Sequence, residues 1–296
     1  MAEPGFRSGL IAIVGRPNVG KSTLVNAFVG EKVAIVSDKP QTTRAGLRGI
    51  LTTGTYQVVF TDTPGFHKPR TLLGSRLNDI VGDSAKDVDA IVLVVDAAAG
   101  VGRGDAFVYE RQLARALCPK FCAVNKVDIV HGHLEVPQLS AAAELGAFDE
   151  IVPVSAKTGK GVAVLLDLIV RRLPEGPLLF PGGEVTDQSL DVRLAEIVRE
   201  KALDLAREEL PHSIAVVVED LEQDAGLSRV RATVVVERDS QKGIVIGKGG
   251  ATLKEIGVRA REEMERLLGV KVFLDLRVKV LKEWQRDPKA LRRLGF

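Results

Sequence analysis

The sequence predicts an α/β domain built on a mostly parallel sheet, followed by a smaller α+β domain. Three observations carry this. Through about residue 173, short Val- and Ile-rich runs, nearly continuous in apolar character, alternate with amphipathic stretches. Strands covered on both faces and separated by helices read this way. Pro and Gly then cluster in "LPEGPLLFPGG", 173–183, which suits a connection between domains. Beyond it apolar and polar residues alternate along the strands, as in a sheet with one face in water. At 296 residues the chain is long enough for two cores.

In the first domain the strand candidates are "LIAIVG" (10–15), "YQVVFTD" (56–62), "AIVLVVDA" (90–97), "FCAVNK" (121–126) and "IVPVSA" (151–156). "ILTTG" (50–54) lies just before the second of these and reads as its hairpin partner, an antiparallel edge strand. "STLVNAFVG" (22–30) and "GVAVLLDLIVRRL" (161–173) have helical spacing. The second domain opens with a helix near 189–209, then strands "SIAVVVEDLE" (213–222) and "RVRATVVVER" (229–238). A short apolar helix, a glycine turn, a helix over 251–268 and the strand "KVFLDLRVKVL" (271–281) complete an α-β-β-α-α-β order. The expected boundaries are 1–175 for the first domain, 176–188 for the linker, and 189–296 for the second domain with its basic tail.

The net charge of +2 announces no partner, but its distribution does. Residues 181–239 carry 7 Lys/Arg against 14 Asp/Glu, a net of −7, while 240–296 carry 14 against 7, a net of +7. A polyanion would feel the second field. Cys118 and Cys122 cannot make a four-thiolate metal site and read as small apolar fillers. The N-terminal stretch lacks a signal-peptide pattern, and no apolar run approaches the ~20 residues that span a bilayer. A cytoplasmic location is expected. The tail "KEWQRDPKALRRLGF" (282–296) fits three roles: a clamp on RNA or ribosome, a contact with the inner face of the membrane, or a packed terminal helix.

"GRPNVGKST", 15–23, matches G-x4-G-K-[ST] between a strand and a helix. The glycines let the backbone of Gly15, Arg16, Pro17, Asn18, Val19 and Gly20 curl its N–H groups, which Pro17 lacks, around phosphates, and the helix N-terminus adds positive potential. Lys21 would bridge the outer phosphates, Ser22 would ligate Mg2+, and Thr23 continues the helix. The base is chosen by "NKVD" (125–128) and "SAK" (155–157). Asp128 can accept hydrogen bonds from guanine's ring N–H and exocyclic amine, neither of which adenine offers. At ~1.5–3 kcal/mol for each charge-assisted bond, the discrimination reaches powers of ten. Asn125, Lys126, Ser155, Ala156 and Lys157 complete that wall, with the Ala156 N–H meeting guanine O6. "DTPG" (62–65) supplies Asp62 for the metal and the Gly65 N–H for the γ-phosphate, with Thr63 and Pro64 between. "QTTR" (41–44) supplies a threonine for the metal, Thr43 in preference to Thr42. Such loops are ordered by γ-phosphate and Mg2+.

These stretches, in this order, resemble the Ras-like translation-factor class of GTPases over 8–173. One departure matters. The glutamine that orients water in Ras is replaced by Phe66, followed by His67. In related GTPases with an apolar residue there, an asparagine of the phosphate loop is associated with a bound K+. By that resemblance Asn18 either holds K+ or only stabilises its loop. The catalytic set expected is Lys21, Thr43, Gly65 and Asn18.

"GIVIGKGG" (243–250) looks like a second phosphate loop and fails as one. Its spacer is one residue short, Gly249 stands where the metal-ligating Ser or Thr belongs, and it follows a helix. As G-x-x-G between two helices, Gly247-Lys248-Gly249-Gly250 fits close approach of an RNA backbone, with Lys248 on a phosphate. Ile246 and Lys254 flank the loop; Ile244 and Leu253 suit core or base contact. Aromatics are scarce at 4%, so stacking on a ring platform is not expected. Residues 190–282 resemble a KH domain of the bacterial type (type II).

The two halves together resemble the Era family of GTPases along nearly the entire chain. The resemblance implies a monomeric GTPase using Mg2+ that binds small-subunit ribosomal RNA near its 3′ end and assists maturation of the small ribosomal subunit. Two alternatives stay open: an RNA chaperone with incidental hydrolysis, and a membrane-associated cell-cycle GTPase.

Overall fold

β1 (Arg7–Val14), β3 (Tyr56–Asp62), β4 (Ala90–Asp96), β5 (Lys120–Asn125) and β6 (Glu150–Pro153) are parallel neighbours, and β2 (Leu47–Thr52) runs antiparallel to β3 at one edge. The order is β2-β3-β1-β4-β5-β6. This is a computed structural model, and it describes residues 5–37, 46–62, 72–73, 75, 87–130, 132–205, 213–224 and 226–295. The chain divides into two compact units. One comprises Met1–Ala34, Thr43–Lys68 and Gly74–Asp187; the other comprises Ile35–Thr42, Pro69–Leu73 and Gln188–Phe296.

Burial on two faces explains the continuous apolar runs of the first unit. Ile11 and Ile13 of β1, with Val92 and Val94 of β4, join Leu24 and Phe28 of α1 (Lys21–Val29) and Leu165 and Ile169 of α4 (Val162–Arg172). The alternate residues Ala12, Val14, Ile91 and Leu93 join Val108 of α2 (Arg103–Val108) and Ala142 of α3 (Gly132–Ala143) on the opposite face. Each aliphatic side chain so buried contributes about 1.5–3 kcal/mol. The edge strand β2 and its hairpin stand where "ILTTG" put them.

The Pro/Gly-rich stretch is tied to the first unit. Gly176 N–H donates to Phe6 O at 3.0 Å, and Ile50 N–H donates to Val185 O at 2.9 Å. The fully buried Gln57 accepts from Leu179 and Phe180 N–H at 2.7 and 2.9 Å. Its Nε2 in turn donates to Phe180 O at 3.0 Å, so one side-chain amide satisfies both donors and an acceptor of the stretch.

In the second unit α5 (Leu190–Leu205) precedes β7 (Ala215–Asp224) and β8 (Leu227–Val236). α6 (Asp239–Ile246), a glycine turn, α7 (Ala251–Leu268) and β9 (Lys271–Val280) follow. β7 and β8 pair antiparallel, β8 and β9 parallel. Val230, Val234 and Val272 meet Leu194, Val198, Ile256, Ala260 and Met264 on the helix-covered face. The intervening positions carry Arg229–Asp224, Arg231–Asp220 and Arg277–Asp275 ion pairs at 2.9, 3.3 and 3.0 Å, the open face that alternation predicted. The tail ends in a packed helix, α8 (Pro288–Arg293), whose start is capped by the Asp287 carboxylate on Lys289 N–H at 2.9 Å. Both cysteines are free, and burial pushes the Cys122 thiol up to about 12. Among the described residues no helix is long and apolar enough to cross a membrane.

Candidate functional site

The phosphate loop leaves β1 at Gly15 and enters α1 at Gly20. Both need glycine: a Cβ would lie 2.4 Å from Val94 O at Gly15, and 2.2 Å from Asn125 Nδ2 at Gly20. Asn18 sits at the exposed tip with φ 62°. Two side chains of the loop are engaged away from its tip. Val19 enters the core, and Arg16 Nε donates to the fully buried Asp105 at 2.7 Å. Lys21, 6% exposed, folds its ammonium onto Gly15 O at 3.1 Å and Arg16 O at 2.8 Å. Burial lowers its pKa to about 8, and the nearby charge of Asp62 opposes the shift. Thr23 lies half-buried on α1 and Pro17 half-buried in the loop.

Ser22 Oγ donates to Asp62 Oδ2 at 2.7 Å. A hydroxyl from the first turn of α1 and a carboxylate from the end of β3 thus meet at one point. Hard oxygen donors of this kind fit Mg2+. Thr42, Thr43, Thr63, Pro64, Gly65, Phe66 and His67 lie outside the described residues.

The two segments expected to read the base meet at the phosphate loop. Asn125, 2% exposed, donates from Nδ2 to Val19 O at 2.8 Å and accepts Ala156 N–H on Oδ1 at 2.9 Å. The Ala156 N–H expected to meet guanine O6 is therefore also the donor that orients Asn125. Lys126, at φ 69°, donates to Asn18 O at 2.8 Å and pairs with Asp96 Oδ2 at 2.6 Å, crossing the phosphate loop. Ser155 is fully buried and caps its turn by accepting Thr158 N–H at 3.2 Å, while Lys157 is exposed. Asp128 is exposed on the single turn Val127–Ile129.

Asp96 and Asp105 were missed by sequence reasoning. Asp96 had a signal: like Asp62, it closes a fully apolar strand. Asp105, one carboxylate in an ordinary helical stretch, had none.

The second glycine turn differs in every respect that matters. Gly247, Gly249 and Gly250 have φ of 73°, 61° and 83°. A Cβ at Gly247 would strike Thr252 Oγ1 at 2.2 Å, whereas at Gly249 and Gly250 it would meet nothing within 4 Å. Steric crowding thus fixes the first, and the other two face open space, with Lys248 exposed just before them. Beside them lies a cavity of about 480 Å3. Gly250, Leu253, Lys254, Gly257, Val258 and Arg261 line one wall, and β9 residues Val272 to Leu274 and Leu276 line the other. Ile246, half-buried at the end of α6, and Ile244 are not among its lining residues. Phe273, 60% exposed, is the one aromatic ring among the cavity's lining residues. The missed signal was Gly257. A mid-helix glycine costs ~1 kcal/mol relative to Ala, and a Cβ there would meet nothing within 4 Å, so packing does not demand it.

Comparison with known proteins follows this geometry. Residues 10–126 match a family model described as a 50S ribosome-binding GTPase, and 209–285 match a KH domain. GTPase Era of Mycolicibacterium smegmatis is 52% identical over 298 residues, covering 98% of this chain and 99% of that protein. The chain belongs to the Era family of GTPases. Its relative from Mycobacterium tuberculosis is also 52% identical, over 297 residues. A crystal structure of Era in complex with MgGDPNP and nucleotides 1506–1542 of 16S ribosomal RNA superimposes with a TM-score of 0.94 at 38% identity, covering 98% of this chain and 99% of that one. An Aquifex aeolicus Era variant bound to GDP and AlF4− gives the same TM-score and identity. The Era-family fold, a Ras-like GTPase domain followed by a KH domain, is the one described above.

Proposed function

We propose that this Era-family chain binds and hydrolyses GTP at residues 15–23, 62–65, 125–128 and 155–157. We further propose that it holds single-stranded small-subunit ribosomal RNA, near its 3′ end, at 246–250 and Lys254, assisting maturation of that subunit. The observation that carries this is full-length similarity to a protein bound to MgGDPNP and a 16S RNA segment. Within that reading the domains are 1–175 and 189–296, joined by 176–188, and the location is cytoplasmic.

The backbone N–H groups of the loop between Gly15 and Lys21, all but that of Pro17, which has none, cradle the phosphates, and the Lys21 ammonium, now on Gly15 O and Arg16 O, turns to the β- and γ-phosphates. Ser22, Asp62 and Thr43 hold Mg2+, which supplies charge neutralisation on those phosphates. Water attacks the γ-phosphorus, the bond to the bridging oxygen breaks, and GDP and phosphate leave. Phe66 can neither donate to nor accept from that water. Asn18 either holds a K+ that replaces the missing polar group or braces its loop. Asp128, exposed and acceptor-only, selects guanine.

The test measures GTP turnover and RNA affinity in parallel, with K+ and then Na+ as the monovalent salt. Saturable binding of a 16S 3′-terminal fragment together with multiple-turnover hydrolysis supports the reading. Hydrolysis without RNA binding removes the second half of it. Equal rates in the two salts remove K+.

A further inference from the structure

The stretch 282–295 has no task in the reading above, yet it is firmly built. Leu281 N–H donates to Val236 O at 2.8 Å as the chain leaves β9. Trp284, fully buried, donates its indole N–H to Ser213 O at 3.2 Å. Gln285 Nε2 donates to Glu237 Oε2 at 3.2 Å, and Leu291 of α8 is fully buried. With Trp284 and Leu291 turned inward, Lys282, Arg286, Lys289, Arg292 and Arg293 are all exposed.

Among the described residues none of these five cations forms an ion pair. On the open sheet face of the same unit Arg229, Arg231 and Arg277 are each matched by a carboxylate, whereas the C-terminal stretch gathers five cations within twelve residues. The local acids are Glu283 and Asp287, and the Asp287 carboxylate is engaged in capping α8.

We infer that this C-terminal surface is a second contact for the phosphodiester backbone of the RNA, outside the groove between α7 and β9. The inference rests on the proposed RNA reading and extends it to a part of the chain that reading leaves idle. Val236 and Glu237, which anchor the stretch, immediately precede α6, and the glycine turn stands at the other end of that helix. Eight residues of helix span about 12 Å, so a strand only a few nucleotides longer than the groove reaches both. A KH groove holds about four nucleotides, whereas the RNA in the related complex spans 1506–1542. Cations held on a folded element order the strand without first being ordered themselves. An anionic lipid surface matches the charge but not the geometry, because a membrane-lying helix turns Trp and Leu outward.

The experiment compares the full-length protein with a variant carrying Arg286→Gln, Lys289→Gln, Arg292→Gln and Arg293→Gln. Both are titrated with nested 3′-terminal fragments of 16S RNA, of groove length and of the full 1506–1542 span, across a salt series. Four lost phosphate contacts lower the slope of log affinity against log salt by about 3 for single-stranded RNA. The long fragment shows this loss and the groove-length fragment does not. A single Lys282→Gln change, at an exposed side chain, gives a slope change of about 0.7 and guards against misfolding of the fourfold variant. Equal slopes for both proteins on the long RNA overturn the inference and leave groove binding standing. Unchanged RNA slopes with lost flotation on phosphatidylserine vesicles overturn it in favour of a membrane contact. If the native protein ignores both fragments, the RNA reading and this inference fall together.

Discussion

Asn125 Nδ2 donates to the Val19 carbonyl at 2.8 Å, tying the end of β5 to the phosphate loop. Its Oδ1 takes Ala156 N–H, so one buried amide joins three segments distant in sequence. Asn125→Ala leaves a buried carbonyl and N–H unsatisfied, which costs about 1–3 kcal/mol for each lost bond. Denaturant unfolding should show that loss, and GTP affinity should drop at least about tenfold as the loop relaxes. Normal affinity with normal stability would show that the brace is ornamental.

Asp105 holds the loop from its other side through Arg16. Its second oxygen accepts Gly102 N–H at 3.0 Å, and Arg16 donates to Gly100 O at 3.1 Å. The Arg16 carbonyl in turn receives the Lys21 ammonium. With one partner partly exposed, Asp105→Ala should destabilise by about 2 kcal/mol, less than a fully buried pair. It should also raise the KM for GTP more than it lowers kcat. A change in kcat alone would speak against positioning through Arg16.

Asp128 is exposed and carries no structural bond in the described residues, so its replacement tests recognition without a folding penalty. Asp128→Asn should weaken GTP by about a hundredfold or more, the value of losing one or two charge-assisted bonds, and should gain xanthosine triphosphate. Competition titrations with both nucleotides read this directly. Unaltered preference for guanine would assign the discrimination elsewhere.

Lys21 supplies the pH dependence. Burial holds its pKa at about 8 in the folded chain, below the ordinary lysine value of 10.5. Between these values the unfolded chain binds a proton that the folded chain lacks. Burying this ammonium therefore costs stability in full below pH 8, and the cost fades as pH rises toward 10.5. Bound polyphosphate favours the charged form, so GTP affinity should be flat below pH 8 and fall about tenfold by pH 9. Calorimetry in buffers of different ionisation enthalpy should show uptake of most of one proton near pH 8.5. No proton uptake would contradict the assignment.

Local pattern made most of this molecule legible. Doubly buried strands such as β4 read as apolar runs because helices cover both faces, and β8 alternates because one face is open. Glycine spacing separated the two turns, since a phosphate loop demands a Ser or Thr where Gly249 stands. Long-range partners were not legible: nothing in the sequence joins Asp105 to Arg16, or Trp284 to Ser213. The groove wall on β9 was likewise hidden, because strand pairing and not sequence proximity brings Leu274 opposite α7.

The two glycine turns are proposed to serve different ligands. A double Gly249→Asp, Gly250→Asp variant decides this, because a Cβ at either position meets nothing within 4 Å and Asp is among the residues that visit the left-handed region required by φ of 61° and 83°. With GTP and the 1506–1542 RNA fragment titrated separately, RNA affinity should fall by about a hundredfold or more through charge repulsion, with GTP affinity within about twofold of native. Undiminished RNA binding, or a parallel collapse of GTP binding, would contradict it.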